Sequence, residues 1–441
     1  MSTRPLLQPP AAWTYPLPTE HRLDNGMRVL VHQVPGQRVI SANLVLDVPL
    51  SAEDAAIEGV ATICARALDE GTTDHPGDAF AEALETEGAA FMASQGQSSL
   101  QAMIDVPATR FPRALELLAE GVRRPELRDA DSARHVALRL AELDQLRANS
   151  AQLASWAFRN AVFAPETRAQ RLPGGEPGTV EAVTPDQVRE FHRRHYGPRG
   201  ATLVLAGDFA EDPVPLAAGA FADWATPDQA TTSHQACRPA TPTALLVDRP
   251  DSVQADIRFG GSGIDRHDPR WPDFQVGSYA VGGAFLSRLN KVLREERGYT
   301  YGVSLQNAPL RSGGTFTVAG SFRTEVVAPA LEEARRLLDI SATPITSDEV
   351  TDAVNYFAGV SPLRYATADG IADQTASIVA QGLELDYVNT YLAGIRAATP
   401  ESASRAYAEV IDLDALTLVV VGDATVLEPA LNDAGFAVTV R

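Results

Sequence analysis

Two stretches of this 441-residue chain repeat each other at a fixed distance. TPDQVREFHRRHYGPRGATLVLAGD begins at Thr184 and TPESASRAYAEVIDLDALTLVVVGD at Thr399, an offset of 215 that holds without a gap to the closing Gly207-Asp208 and Gly422-Asp423. Each copy opens with Thr, a natural helix N-cap, and Pro, a natural first helical residue. A helix, a turn and an apolar β-run follow in both. Further upstream, PRALELLAEGVRRPEL from Pro112 resembles PALEEARRLLDISATPI from Pro329 at nearly the same spacing. Because the order helix, turn, buried strand is shared, the chain reads as an internal duplication into two homologous domains of about 220 residues, an ordinary domain size.

The segment TPDQATTSHQACRPATPT from Thr226 is rich in Pro, Thr, Ser and Ala and lacks apolar periodicity, which suits an extended linker. The expected division is an N-terminal domain over 1–225, a linker over 226–243 and a homologous C-terminal domain over 244–441. MRVLVHQV, SANLVLDV and TFTVAGSF alternate as antiparallel strands, whereas PRALELLAEGVRR has the period of an amphipathic helix. The fold class is therefore α+β, with each half an antiparallel-rich sheet carrying helices on one face.

Charge and cysteine usage exclude several functions. A formal charge of −20 opposes binding to nucleic acid backbones and anionic membranes. Cys64 and Cys237 are too few for a disulfide framework and read as free thiols. The opening MSTRPLLQPPAAW lacks the apolar run of a signal peptide, and no later stretch stays uncharged long enough to span a bilayer, so the expected location is cytoplasmic. No phosphate-binding loop, nucleophile elbow or dinucleotide fingerprint is present. His192 and His195 sit three apart without a nearby third ligand and read as surface positions on a basic helix end.

RLDNGMRVLVHQVPG, EGVATICARALDEGT and LREERGYTYGV together resemble the pitrilysin or insulinase-type metallopeptidases, in particular their mitochondrial processing peptidase-like branch. The resemblance runs over nearly the whole chain and implies duplicated α+β domains forming half of a clam-shell. In that branch a zinc-bearing chain and a zinc-less one often close around a central chamber. Active members carry G-[LIV]-A-H-x-x-E-H-[ML]-x-x-x-G-T, with two His one helical turn apart binding zinc and the Glu activating water. Here the window runs from Gly59 to Thr72 with its frame intact, but Thr62 and Arg66 replace the His and Ala65 replaces the Glu. A neutral hydroxyl, an apolar stub and a permanent cation cannot hold a divalent metal, so this chain is expected to bind none. Val60, Ile63, Cys64, Ala67 and Leu68 keep helical spacing, which makes Cys64 a core residue. A Glu downstream completes the zinc site in active relatives, and Glu142 falls about there. It reads first as a helix-surface carboxylate and second as a surviving partner of Arg66.

In the second half, GGAFLSRLNKVLREERGYTYGV from Gly282 places Phe285, Leu289, Val292 and Leu293 on one helical face, with Gly298 as the stop. The segment matches a family pattern in which an Arg and a Tyr seven positions later contact the peptide near its scissile bond. The resemblance thus assigns Arg294 and Tyr301 as catalytic-site residues. A Tyr hydroxyl can donate to a carbonyl oxygen that gains negative charge, and a guanidinium can brace substrate carbonyls. The alternative is a solvated helix end and an ordinary strand aromatic.

The expected function is the non-zinc subunit of a heterodimeric metallopeptidase, inactive alone, with a peptide substrate and a zinc-bearing homologous partner. Two alternatives stay open. One is a scaffolding pseudoenzyme, as the core subunits of a respiratory complex are in this family; the other is a carrier that adds an extended peptide to an exposed strand edge.

Overall fold

The computed structural model describes residues 13–441, so the opening residues read above for a signal peptide lie, all but Trp13, outside the described part. The strands are β1 (Thr19–Arg22), β2 (Arg28–Gln33), β3 (Val39–Leu46), β4 (Ala90–Gln95), β5 (Leu100–Pro107) and β6 (Thr202–Gly207) in the first half. The second half has β7 (Ala244–Asp248), β8 (Gln254–Gly263), β9 (Thr300–Pro309), β10 (Gly314–Arg323), β11 (Thr417–Gly422) and β12 (Thr439–Val440).

Both sheets have six strands, ordered β1-β2-β6-β3-β5-β4 and β12-β7-β11-β8-β10-β9. From the second strand of each list onward the topology is the same, including one parallel pair, β2 with β6 and β7 with β11. The duplication thus reaches strand pairing as well as sequence. The outermost strand breaks the symmetry, since β1 joins antiparallel from before β2 and β12 joins parallel from the end of the chain. At the opposite end of each sheet β4 and β9 are edge strands.

The repeat begins where the sequence predicts. Thr184 and Thr399 each cap a helix, Pro185–His195 and Pro400–Val410, and each forms a reciprocal capping box with the residue three positions on, Gln187 and Ser402. Most helices of each half pack on one face of its own sheet and enclose a separate core, around Leu44, Ile104 and Leu115 in the first half and Ile257, Phe316 and Leu331 in the second.

The second face of each sheet is covered by a helix of the other half. Ser150–Val162 lies on β8 and β11, while Ala368–Gln381 lies on β3 and β6. These helices occupy nearly equivalent positions in the repeat, so the exchange is reciprocal. It explains why β6 and β11 are apolar without alternation and buried at every position, since a strand covered on both faces has no solvent side. Val204 and Val45 meet Ala372 and Ala376, and Val419 meets Phe158 and Val162. A buried polar chain pins the first exchange. The Tyr15 hydroxyl donates to the Ile371 carbonyl at 2.8 Å and lies 2.7 Å from Thr375 Oγ1, which in turn lies 2.9 Å from His32 Nε2.

Residues 226–243 form no helix or strand beyond an isolated bridge between Phe163 and Pro239. They are tied to the first half, with Gln229 bonded to Arg199 and His234 Nε2 2.7 Å from Asp47. No helix among the described residues is long and apolar enough to cross a membrane.

Candidate functional site

The degenerate motif lies on the helix Val60–Arg66. Gly59 precedes it at φ 110°, and a Cβ there would sit 2.8 Å from the Gly174 carbonyl oxygen, so the frame glycine is required by both backbone angle and space. Glu53 caps the helix, accepting from the Gly59 N–H at 2.8 Å and the Ala61 N–H at 3.1 Å. Its second oxygen is held by Arg168 at 2.8 Å, inside a buried cluster that also joins Arg171 to Glu58 at 2.6 Å. Charged groups this deeply buried persist only as pairs, and here they fix where the motif helix starts. Glu53 and Arg168 are 115 residues apart, and no local pattern announces the contact.

Val60, Ile63 and Cys64 are buried in the first core, and burial pushes the Cys64 thiol up to about 12, where it is an inert apolar group. Ala65 is buried as well. Thr62 and Arg66, one turn apart, are partly exposed on the same side.

Arg66 makes a two-pronged ion pair with Glu142 on the helix Asp129–Ala148, Nη1 to Oε1 at 2.8 Å and Nη2 to Oε2 at 3.0 Å. The preferred sequence reading of Glu142 as a plain surface carboxylate is therefore corrected: it is the ion-pair partner of Arg66. Arg139 adds a third contact at 3.1 Å. Burial alone would raise the Glu142 carboxyl, but the hydrogen bonds and charges of Arg66 and Arg139 outweigh it and hold the group below its ordinary value. The residues present do not fit a divalent metal, since a hydroxyl, an apolar stub and a guanidinium already paired with Glu142 give it no ligand set. Among the described residues no cluster of three or more His, Cys, Asp and Glu has metal-binding geometry.

The two histidines of the basic helix end are not surface residues. His195 is buried, and His192 is half-buried with Nε2 2.8 Å from the Val122 carbonyl oxygen. They follow Val188 and Phe191 on the inward face, while Arg193 and Arg194 take the solvent side.

The Arg294 segment departs from the expected single helix. The Gly282-Gly283 pair ends a wide helical turn over Tyr279–Gly283, Ala284 is extended, and helical backbone resumes only near Arg288 to form a second wide turn over Asn290–Glu296. Phe285 is consequently 69% exposed and off the buried face, which Leu289 and Leu293 still occupy. Wide turns with bonds to the fifth preceding residue, such as Arg297 N–H to the Val292 carbonyl, recur at functional sites. Gly298, at φ 63°, stops the helix as predicted. Asn290 then ties helix to strand, accepting from the buried Val303 N–H at 3.0 Å.

Arg294 and Tyr301 sit on either side of this tie. The Arg294 guanidinium stacks 4.4 Å from the Phe285 ring centroid, and its ion-pair partner among the described residues is Glu295 at 3.5 Å. Tyr301, near the start of edge strand β9, is 95% exposed, and its hydroxyl has no protein partner among the described residues. Tyr301 is free to engage another molecule, whereas Arg294 already has Phe285 and Glu295 as neighbours and is about one third exposed. No hydrogen bond or ion pair among the described residues links them to the Thr62, Ala65, Arg66 and Glu142 group of the first half.

Fold and sequence together define a peptidase scaffold. A family model described as Insulinase (Peptidase family M16) matches residues 28–172, and one described as Peptidase M16 inactive domain matches residues 182–357. An uncharacterized zinc protease of Streptomyces coelicolor is 24% identical over 390 residues, covering 86% of this chain and 84% of its own length. A non-peptidase homolog of Helicobacter pylori is 22% identical over 364 residues, covering 80% of this chain and 83% of its own. The crystal structure of a peptidase M16 inactive domain from Pseudomonas fluorescens superposes with a TM-score of 0.85 at 23% identity, covering 92% of this chain and 98% of that one. The chain belongs to the insulinase-type peptidase family M16.

Proposed function

We propose that this chain is the zinc-less subunit of a two-chain peptidase of the processing peptidase-like type, inactive alone and paired with a homologue that carries the intact zinc motif. The observation that carries the reading is the Arg66–Glu142 pair, which occupies two of the former ligand positions with a stable internal contact. A chain so arranged has no metal chemistry of its own to offer. What it can offer is Arg294 and Tyr301, both presented at the surface beside an edge strand. Tyr301 would donate its hydroxyl to the scissile carbonyl oxygen as that atom gains charge, and Arg294 would brace neighbouring peptide carbonyls. The partner would supply the metal and the base.

The test is to express the chain with a zinc-motif homologue from the same organism and measure size, zinc content and peptide hydrolysis. A heterodimer with one zinc per pair and activity absent from either chain alone is expected. Within that pair, Tyr301→Phe should lower turnover about a hundredfold with assembly intact, the scale for loss of one oxyanion donor. Arg294→Ala should also raise KM, because bracing begins in the ground state. One retained zinc on the isolated chain, or wild-type kinetics in both variants of an active pair, would refute the reading. The second outcome would favour a scaffolding role.

A further inference from the structure

A cavity of about 370 Å³ opens between edge strand β9 and the helices Trp271–Ser278, Ser347–Arg364 and Tyr387–Ala397. Its size suits a single small molecule or one residue of a peptide. The walls are aromatic and ordered in pairs. Tyr279 stacks on Tyr356 at 4.8 Å and 23°, and Tyr387 on Tyr391 at 5.9 Å and 15°. Such walls present ring faces and edges, surfaces that take a further aromatic ring in stacked or edge-on contact.

The same cavity is lined by two arginines, Arg266 and Arg364, neither of which has a carboxylate partner among the described residues. The adjacent Asp265 is engaged elsewhere, accepting from the Gly313 N–H at 2.8 Å and lying 3.4 Å from the His267 ring. Burial pushes the Tyr387 phenol up to about 12 and raises Tyr391 further, with Arg266 acting in the opposite direction on both. These phenols, which line the cavity together with Arg266, stay neutral and do not repel an anion. Asp352, which does not line the cavity, acts on the Tyr279 phenol and helps to keep it neutral.

Two polar atoms in the lining lack partners. Ser278 is 3% exposed, and neither its hydroxyl nor the buried Asn307 Oδ1 has a hydrogen-bond partner in the protein. A buried polar atom left unpaired costs about 1–3 kcal/mol, so a ligand that satisfies it gains affinity. Asn307 Oδ1 calls for a donor such as an amide N–H, and the arginines call for an anion.

We propose that this cavity binds an aromatic residue with a free carboxylate, its ring against the tyrosine stacks, its carboxylate on Arg266 and Arg364, and its N–H toward Asn307. The ligand is either a free aromatic amino acid derivative or the C-terminal residue of a peptide. Such a ligand matches ring, anion and donor in one unit, against a background charge of −20 that otherwise disfavours anions. The proposal is independent of the two-chain reading, because the test needs this chain alone.

Isothermal titration of the purified full chain compares N-acetyl-L-phenylalanine, the tripeptide Ala-Ala-Phe as free acid, and the same tripeptide as C-terminal amide. The expected result is a Kd below about 1 mM for a free acid and at least about tenfold weaker binding of the amide, the scale for losing a charged hydrogen bond. Equal affinity of the two acids identifies a free amino acid derivative as the ligand, and tighter binding of the tripeptide identifies a peptide end. Arg266→Gln and Arg364→Gln should each weaken the acid about tenfold while unfolding as wild type, since both side chains reach solvent. Binding of the amide as tight as the acid, or no binding of either acid at millimolar concentration, overturns the proposal without reliance on any variant.

Discussion

Replacing Thr62 and Arg66 by histidine, with Ala65 left in place, should turn the Arg66–Glu142 ion pair into a zinc site on an unchanged backbone. The two positions lie one turn apart on the same side of the Val60–Arg66 helix, the placement that two metal-binding imidazoles need. Glu142 already points at position 66, its oxygens 2.8 Å and 3.0 Å from the guanidinium nitrogens. A tetrahedral metal between an imidazole nitrogen and a carboxylate oxygen holds them roughly 3.3 Å apart. Imidazole is shorter than the arginine side chain, which leaves room for that wider gap. Arg139 stays within 3.1 Å of Glu142 and will compete with the metal, so affinity should fall below that of an evolved site. At free zinc about a hundredfold above Kd, binding stabilises the fold by about 2.7 kcal/mol. For a domain of this size that raises the melting temperature by roughly 5–10 °C. Scanning calorimetry with and without zinc reads the shift, and a chelator should reverse it. The wild-type chain should show none, and adding Glu142→Gln to the double variant should abolish it. A folded double variant with no zinc-dependent shift, or one indifferent to Glu142→Gln, would refute the argument that only the ligands were lost. Peptidase activity is not expected, because Ala65 can move no proton.

Two further outcomes follow from the contact between the halves. Burial holds the His32 imidazole down to about 4 from its ordinary 6.5, so between those values the unfolded chain takes up a proton that the folded chain refuses. Stability is therefore complete above pH 6.5 and falls as pH drops toward 4, by about 3 kcal/mol in all from this group. Urea unfolding across that range should show the decline, and His32→Gln should flatten it; an unchanged slope in the variant would remove His32 as the cause. Tyr15→Phe deletes the hydroxyl that serves the Ile371 carbonyl and Thr375, and should cost about 1–3 kcal/mol by the same assay. A silent substitution would mean that apolar contact alone docks the Ala368–Gln381 helix.

Much of this protein was legible in the residues alone, because the decisive signals are local or periodic. The 215-residue offset, the Thr-Pro helix starts and the Gly-Asp strand ends report backbone preferences that neighbouring side chains settle within a few positions, and they recur in the folded chain. That Thr62, Ala65 and Arg66 offer no metal-ligand set is likewise a statement about side-chain chemistry alone. The tertiary structure decided which distant surfaces meet. The apolar runs of β6 and β11 are consistent with burial on both faces, but only the fold reveals that the cover is a helix from the opposite half. Glu142 finds Arg66 across 76 residues, and Arg168 finds Glu53 across 115, separations over which sequence pattern carries no distance information. Phe285 fits a helical stripe and is nevertheless exposed, because the helix is broken after the glycine pair and Phe285 falls in the non-helical stretch before Arg288. Periodicity tells which side of an element avoids water; which partner that side meets is determined by the packing of the whole chain.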